Sequence, residues 1–253
     1  MLRWVKYKCS DHNKQSQPSR VGIWKMFDRI APRYDLLNKI LSLGLDGFWR
    51  RRAGKYLPER KDLRVLDLAT GTGDLLLMLL ANHKNISSAV GLDMSPEMLA
   101  IAEKKIAGHN LQGSISLVCA DITEIPFPEN SFDAVTIAFG IRNVSDVNIA
   151  LSQTYRVLKP GGRVIILEFS LPDNSLMKNL FLLYLRTFVP AVGAIISGDS
   201  EAYRYLNKTV ETFLSREELC KYMQNAGFIS VNAVPITFGT VCIYNGEKSV
   251  SDV

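Results

Sequence analysis

Hydrophobic positions from Arg64 onward form short, nearly continuous runs that alternate with amphipathic segments of helical length. This pattern is typical of parallel strands joined by crossover helices. The near-continuous hydrophobicity of the runs suits strands that are covered on both faces. The sequence therefore predicts an α/β fold with a doubly wound, mostly parallel sheet. The predicted strands are residues 64–68, 88–92, 114–119, 132–138 and 162–168.

Two helices and a terminal strand pair have readable limits. Ser95 predicts an N-cap followed by proline at the first helical position, and Ser215 predicts the start of a later helix. A glycine closes each of these helices. Two closely spaced apolar runs, residues 229–234 and 240–244, then predict an antiparallel strand pair at the sheet edge.

The chain of 253 residues is predicted to fold as one domain over residues 21–253, preceded by a flexible polar tail at residues 1–20. Residues 21–62 are predicted to form a helical cap. Two basic residues and a proline interrupt the most apolar stretch, residues 176–196, so it does not predict a transmembrane helix. It predicts a buried helix or an apolar lid, inserted near residues 172–212.

Charge is distributed unevenly along the chain. The composition, 47% hydrophobic and 22% charged, is that of a globular protein and excludes collagen-like and broadly disordered classes. Residues 1–62 hold 15 Lys/Arg against 6 Asp/Glu, whereas the rest of the chain is net acidic. The basic region predicts either contact with an anionic membrane surface or simply a solvated basic face.

The cysteines and histidines do not form a recognisable metal or disulfide pattern. The four cysteines are scattered, without a CxxC pair or a histidine at ligand spacing, so neither a metal site nor a disulfide framework is expected. No apolar signal-peptide core follows the charged start of the chain. A cytoplasmic protein is therefore expected, with the inner face of the membrane as the surface that it contacts.

The segment RVLDLATGTGD predicts a cofactor-binding turn. Asp67 lies near the end of the first predicted strand, and Gly71 and Gly73 lie in the turn that leads to the next helix. In an open α/β sheet the ligand crevice lies at the carboxyl ends of the strands, where two glycines allow close backbone approach. The turn is therefore in the right place for a nucleotide-like cofactor, although a GxG pair also occurs in simple tight turns.

Acidic residues also end the next two strands. Asp93 can accept hydrogen bonds from ribose hydroxyls, and Asp121 can accept from an adenine amine while Ile122 packs on the ring. Leu76 occupies the place of the third glycine of a dinucleotide motif, which favours a smaller cofactor. The alternative is that Asp67, Asp93 and Asp121 only cap the ends of their strands.

The motifs VLDLATGTGD, GLDMS, ADITEIPF and RVLKPGGRVIILEF resemble those of class I S-adenosylmethionine methyltransferases. The segments MFDRIAPRYDLLNKILSLGLDGFWRR, FGIRNVSD and GDSEAYRYLNKTVETF further resemble the ubiquinone/menaquinone biosynthesis C-methyltransferase family. The resemblance implies a seven-stranded sheet with an antiparallel last strand. One departure is Asp46, which stands where that family commonly has a histidine, so no catalytic histidine is assigned.

The resemblance also implies an activity and a set of site residues. The expected reaction is C-methylation of a prenylated quinol by S-adenosyl-L-methionine, with demethylmenaquinol the favoured substrate. The cofactor would contact Thr72 in the glycine turn, Asp93 at the ribose and the pair 121–122 at the adenine. Ala138 and Phe139 would line the crevice at the end of the fourth strand.

Methyl transfer to a ring carbon needs a deprotonated ring hydroxyl, and a phenol of pKa about 10 is almost wholly protonated at neutral pH. Arg142 in FGIRN is the candidate catalytic residue, because a fixed positive charge would stabilise the phenolate. Its alternative role is a loop ion pair with Asp146. The motif residues that could orient the quinol are Tyr34, Asp35, Tyr203 and Arg204. Tyr34 could equally be a core aromatic.

Two rival functions and several partners stay open. One rival is a methyltransferase for another lipid-like molecule, and the other is a non-catalytic cofactor-binding scaffold in a quinone-biosynthesis complex. No nucleic-acid partner is expected, because neither an NPPY-like motif nor a Cys-Pro pair is present. The ring type, the isoprenoid length, the catalytic base and the formation of a homodimer are not decided by the sequence.

Overall fold

The computed structural model describes residues 5–6, 22–197 and 200–250, except for the side chains of residues 5–6 and 194–203. Its strands are β1 Val5–Lys6, β2 Leu63–Leu68, β3 Ile86–Asp93, β4 Ile115–Cys119, β5 Phe132–Ala138, β6 Leu158–Phe169, β7 Ile229–Ile236 and β8 Val241–Glu247. Its helices are α1 Ile23–Leu41, α2 Asp46–Gly54, α3 Asp74–Asn82, α4 Pro96–Gly108, α5 Val147–Val157, α6 Ser175–Ser197, α7 Ser200–Thr212 and α8 Arg216–Asn225. Short 3₁₀ turns follow β5 and β7, at Ile141–Asn143 and Thr237–Gly239.

The strands form one mixed sheet in the order β1-β4-β3-β2-β5-β6-β8-β7. All neighbouring strands are parallel except β8, which runs antiparallel to both β6 and β7. The predicted doubly wound sheet of seven strands with an antiparallel last strand is confirmed, and the two-residue β1 adds an edge strand. The predicted tail otherwise lies outside the described residues. The order in which successive strands are added reverses between β2 and β5, which are parallel neighbours, and this switch point sets the ligand crevice there.

Local capping determines where α4 and α8 begin. The Ser95 hydroxyl accepts from the Met98 N–H at the start of α4, and Ser215 forms a reciprocal capping box with Glu218 at the start of α8. Helices α2, α3 and α4 bury one sheet face, and α5 and α8 bury the other. The sheet is therefore covered on both sides, as its apolar strands require.

A third hydrophobic cluster forms above the sheet, between α1, α6 and α7. Met26, Ile30 and Leu37 of α1 pack with Leu185 and Val189 of α6, and all five side chains are buried. The apolar stretch of the sequence is thus one helix, buried on the side that faces α1. No helix within the described part of the chain has the length and hydrophobicity to cross a membrane.

Candidate functional site

The glycine turn at the end of β2 is supported from below by Asp67. This carboxylate is 1% exposed, and it accepts hydrogen bonds from the hydroxyls of Thr70 and Thr136, each at 2.6 Å. Burial raises the pKa of Asp67 to about 6, against the opposing effect of the two hydroxyls. The predicted residue is therefore beneath the turn, where it ties the turn to β5.

At the switch point of the sheet, the glycine turn lies very close to the segment that follows β5. Ala69 has a left-handed backbone at φ 51°, as do Gly71 at 56° and Gly73 at 81°. Facing it, Gly140 follows β5 at φ −111°, and a Cβ there would lie 2.5 Å from the Ala69 Cβ. The absence of a side chain at Gly140 is what lets the two segments meet.

Asp93, at the end of β3, joins two parts of the predicted site. Its Oδ2 accepts from the Gly71 N–H at 2.7 Å, and its Oδ1 accepts from the Ser95 N–H at 2.9 Å. Burial raises the pKa of Asp93, and the backbone donors oppose that rise. The glycine turn and the second acidic strand end, which the sequence predicted separately, are in direct contact.

The third strand end adjoins Asp93 through the backbone. The Ala120 N–H donates to the Asp93 carbonyl at 3.1 Å, and Asp121 follows at once. The Asp121 side chain is half-buried and accepts from the Thr123 N–H at 2.8 Å. Ile122 is 6% exposed and belongs to the core beneath the sheet edge. The strand-end residues thus form one continuous edge of the crevice.

Helix α1 reaches down to the glycine turn. The Thr72 hydroxyl, 2% exposed, donates to Asp35 at 2.6 Å. The Lys105 ammonium of α4 contacts Asp35 at 2.5 Å and Asp74 at 2.6 Å, and it also donates to the Thr72 hydroxyl at 3.0 Å. One lysine therefore connects the cap, the glycine turn and the start of α3.

Two further residues of α1 enter the site. Asp28 accepts from the Ser95 hydroxyl, next to Asp93. The Tyr34 ring lies 3.9 Å from where a Cβ on Gly71 would be. Burial raises the pKa of the Tyr34 hydroxyl, while the Asn38 hydrogen bond and the charges of Arg142 and Arg50 act in the opposite direction. Tyr34 is therefore in the crevice, half-buried and within reach of the field of Arg142.

Arg142 is 5% exposed and ion-paired. Its Nη1 donates to Glu168 at 2.7 Å and to the Phe139 carbonyl at 2.6 Å, and Glu168 is fully buried at the end of β6. The alternative pairing with Asp146 is wrong, because Asp146 caps α5 by accepting from two backbone N–H groups. Arg142 Nε has no hydrogen-bond partner, which leaves one buried donor uncommitted.

A cluster of three aromatic rings adjoins this ion pair through Phe169. The centroids of Phe139 and Phe169 are 4.7 Å apart, and Trp49 of α2 lies 5.9 Å from Phe139 and 6.2 Å from Phe169. The Arg142 guanidinium lies 5.4 Å from the Phe169 centroid. The Trp49 N–H is satisfied by the Thr237 hydroxyl at 2.7 Å. The β5–β6 side of the crevice is thus aromatic, in contrast to the acidic β2–β4 side.

The remaining motif residues lie at different places. Asp46, the departure from the family pattern, pairs with the buried Arg50 one helical turn away. Arg204 is exposed and lines a cavity of about 330 Å³ between α6 and α7, together with Arg186 and Glu211. The side chain of Tyr203 is outside the described residues. Arg204 therefore belongs to the α6–α7 groove, away from the strand ends.

The sequence interpretation missed several residues that complete the site. Glu168, Lys105, Asp28 and the rings of Trp49 and Phe169 were not singled out, because their contacts join segments far apart in the chain. One signal was available. Asp28 and Asp35 are seven residues apart in a predicted helix, which puts both carboxylates on one face.

Several known proteins resemble this chain in sequence. The model of the ubiE/COQ5 methyltransferase family matches residues 13–248. A demethylmenaquinone methyltransferase of Thermus thermophilus is 47% identical, over 88% of this chain and 100% of the relative. The ubiquinone/menaquinone biosynthesis C-methyltransferase UbiE of Geotalea daltonii is 44% identical, over 89% and 96%.

Solved structures agree on the fold. A S-adenosylmethionine-dependent methyltransferase of Thermotoga maritima matches with a TM-score of 0.63 and 22% identity, covering 89% of this chain and 100% of the other. Phosphoethanolamine N-methyltransferase 2 of Haemonchus contortus, in complex with S-adenosylmethionine, matches with a TM-score of 0.61 and 17% identity, over 81% and 53%. At these identities the likeness concerns the fold alone.

Proposed function

This chain belongs to the ubiE/COQ5 methyltransferase family, and from that premise we propose that it transfers the methyl group of S-adenosylmethionine to a ring carbon of a prenylated quinol. Demethylmenaquinol is the favoured substrate, because three of the similar relatives are named demethylmenaquinone methyltransferases. The observation that best supports this reaction is that the buried Arg142 has an N–H without a hydrogen-bond partner. This N–H lies on the aromatic side of a crevice whose other side is acidic.

The acidic side suits the methyl donor. A sulfonium is positively charged, and the carboxylates at three neighbouring strand ends complement that charge, while Asp93 and Asp121 can also accept from ribose and adenine donors. We assign the cofactor contacts to Gly71, Thr72, Gly73, Asp93, Asp121 and Ile122. Asp67 would act indirectly, because both of its oxygens already hold hydroxyls of the turn and of β5.

The aromatic side suits a quinol ring. Phe139 and Phe169 offer flat apolar surfaces against which a ring can stack, and aromatic pairs of this kind contribute about 0.5–1.5 kcal/mol beyond area burial. The cap helices exclude water from this side, which strengthens electrostatic interactions within it. The ring would thus be held by packing, with few polar contacts to compete for its hydroxyls.

Arg142 would supply the charge stabilisation in this reaction. Glu168 holds one guanidinium nitrogen and fixes its plane, while the free Nε–H can donate to the ring oxygen as that oxygen loses its proton. The phenolate would direct electron density to the neighbouring ring carbon, which would bond to the methyl group as the S–CH3 bond breaks and S-adenosylhomocysteine leaves. Loss of the proton from that carbon to water would restore the aromatic ring. The enzyme's main contribution would be alignment of that carbon with the S–CH3 bond.

A membrane contact is proposed for the outer face of the cap. Exposed apolar residues lie on one stripe of α6, on the α1–α2 connection and at the start of α2. The Tyr184 hydroxyl of α6 donates to the Leu41 carbonyl at the end of α1, which joins these parts. The exposed apolar residues are Leu176, Leu180, Leu183, Leu43 and Phe48, 45–71% exposed. Exposed Lys39, Arg51 and Arg52 flank the connection. Such a surface favours an anionic bilayer, where a prenylated quinol resides.

Vesicle flotation tests this contact. We expect binding to vesicles that contain anionic lipid to fall about tenfold in Leu180→Gln/Leu183→Gln, because two apolar side chains no longer enter the interface. Ile229→Gln is the matched control, since Ile229 is 49% exposed on the edge strand β7. Equal flotation of the wild type with and without anionic lipid would count against the proposal.

Methyl transfer with purified protein tests the reaction itself. The protein is incubated with S-adenosylmethionine carrying a labelled methyl group and with reduced demethylmenaquinol or a benzoquinol analogue, and products are analysed by mass spectrometry. Label is expected on the quinol ring carbon, fastest with the naphthoquinol. The oxidised quinone is the control, because it has no hydroxyl to ionise. Cofactor binding without transfer to either quinol would support the scaffold alternative.

A further inference from the structure

We propose that helix α1 is a strap across the cofactor crevice, fastened by Asp28 and Asp35, and that release of these two anchors sets the rate at which cofactor and product exchange. The inference rests on the proposed cofactor site. It adds two positioning residues, Asp28 and Asp35, which act on the cofactor through Ser95 and Thr72.

The anchors lie on one face of α1. Positions 28, 31 and 35 are one and two helical turns apart, so they form a single stripe. Ala31, in the middle of that stripe, is 3% exposed, which allows the helix to lie close to the sheet edge. Both carboxylates therefore point to the same side as the strand ends.

The two anchors contact two neighbouring parts of the cofactor crevice. Asp35 accepts from Thr72 in the glycine turn and pairs with Lys105 at 2.5 Å, while Asp28 accepts from Ser95 beside Asp93. Thr72 and Ser95 are 2% and 1% exposed. Because α1 covers both of these groups, a ligand that contacts them can enter or leave only when α1 moves.

The other face of α1 determines what moves with it. Met26, Ile30 and Leu37 are buried against α6, so α1 and the apolar side of α6 would move together. The chain after α1 has two consecutive left-handed residues, Leu43 at φ 53° and Gly44 at 77°. This connection is a suitable hinge, since the change of direction is concentrated in two residues outside any helix.

Stopped-flow release of S-adenosylhomocysteine tests the strap. In Asp35→Asn and in Lys105→Met we expect release about tenfold faster than in the wild type, with a raised KM for the cofactor. Each variant removes one half of a charge-assisted contact. Lys104→Met is the matched control, because Lys104 is exposed on the same helix. Release at the wild-type rate in both anchor variants overturns the proposal.

A reversible cross-link distinguishes strap opening from general loosening. Asp28→Cys/Ser95→Cys places two thiols at positions whose side chains are now in hydrogen-bond contact. Oxidation, checked by mass, should slow release at least tenfold below the wild type, and reduction should make it faster than the wild type. A cross-linked protein that releases product normally overturns the strap. Calorimetric binding of S-adenosylmethionine by the wild type tests the cofactor site separately.

Discussion

The two sides of the crevice solve different problems at the same edge of one sheet. On the β2–β4 side two carboxylates lie near the surface, above the buried Asp67: Asp93 and Asp121 are half-buried and accept mostly from backbone N–H groups nearby. The β5–β6 side buries a complete ion pair, Arg142 and Glu168, among aromatic rings. On the first side, backbone N–H groups nearby stabilise each carboxylate. On the second side, each charge depends on a single partner that lies far away along the chain.

This difference has an energetic consequence. Removing one member of a fully buried pair leaves the other charge without solvation, whereas a half-exposed carboxylate can be lost at little cost to folding. Substitutions on the β5–β6 side should therefore affect stability and turnover together. Those at Asp93 and Asp121 on the β2–β4 side should mainly affect cofactor affinity.

The largest effect is expected for Arg142→Met. Loss of the guanidinium leaves Glu168 buried and unpaired, so the free energy of unfolding should fall by about 3–5 kcal/mol and turnover by at least about 100-fold. Chemical denaturation and the methyl-transfer assay measure the two effects. In Arg142→Met/Glu168→Gln most of the stability should return while turnover stays low. Recovered turnover in that double variant would remove Arg142 from the mechanism.

The second largest effect is expected for Asp67→Asn, which tests whether a charge is also buried on the β2–β4 side. A carboxyl whose pKa is about 6 in the folded protein and 3.8 unfolded favours folding fully only below pH 3.8, and this contribution is lost as the pH rises to 6. From pH 3.5 to 7 the asparagine variant should therefore gain about 3 kcal/mol relative to the wild type. Denaturation curves across this range check it, and parallel pH profiles would refute the burial argument.

Asp93→Ala tests the affinity side of the comparison. Loss of a carboxylate that accepts ribose hydroxyls should weaken S-adenosylmethionine binding about 100-fold, because hydrogen bonds to a charged group contribute about 1.5–3 kcal/mol. Calorimetry gives the dissociation constant. The free energy of unfolding should change far less than in Arg142→Met. A larger loss of stability than of affinity would reverse the distinction between the two sides.

The smallest of these effects is expected for Phe169→Leu. The substitution keeps an apolar side chain but removes a ring that contacts Phe139 and the Arg142 guanidinium. The KM for the quinol should rise about fivefold, in line with the energy of an aromatic pair, while cofactor affinity stays unchanged. Steady-state kinetics with each substrate varied in turn measures both. A change confined to the cofactor would contradict the assignment of this side to the quinol.

Local patterns in the sequence predicted most of the fold. Predicted strand 132–138 coincides with β5, and α4 starts after Ser95 as its cap predicts. Residues 162–168 are only the later part of β6, which begins at Leu158. Here pairing with β5 extends the strand through a proline and two glycines that look like a turn in isolation.

The candidate site was predictable on one side only. Asp93 and the glycine turn are recognisable because each follows its own strand, and adjacent strands bring them together. Glu168 as the partner of Arg142, and Lys105 as the partner of Asp35, are separated from these residues by 26 and 70 positions. No local spacing rule specifies such pairs, since they exist only once the cap and the sheet edge are assembled.

The close approach of Ala69 and Gly140 means that the switch point has room for only one methyl group. That methyl group can belong to residue 69 or to residue 140. Gly140→Ala alone should be strongly destabilising, because its new carbon would lie 2.5 Å from that of Ala69. Ala69→Gly/Gly140→Ala moves the methyl to a backbone at φ −111°, which any residue adopts, and relieves Ala69 of its left-handed φ of 51°. The free energy of unfolding of the exchanged pair should exceed that of the wild type by about 1 kcal/mol. The two positions therefore constitute a single unit of variation, for natural drift and for redesign alike.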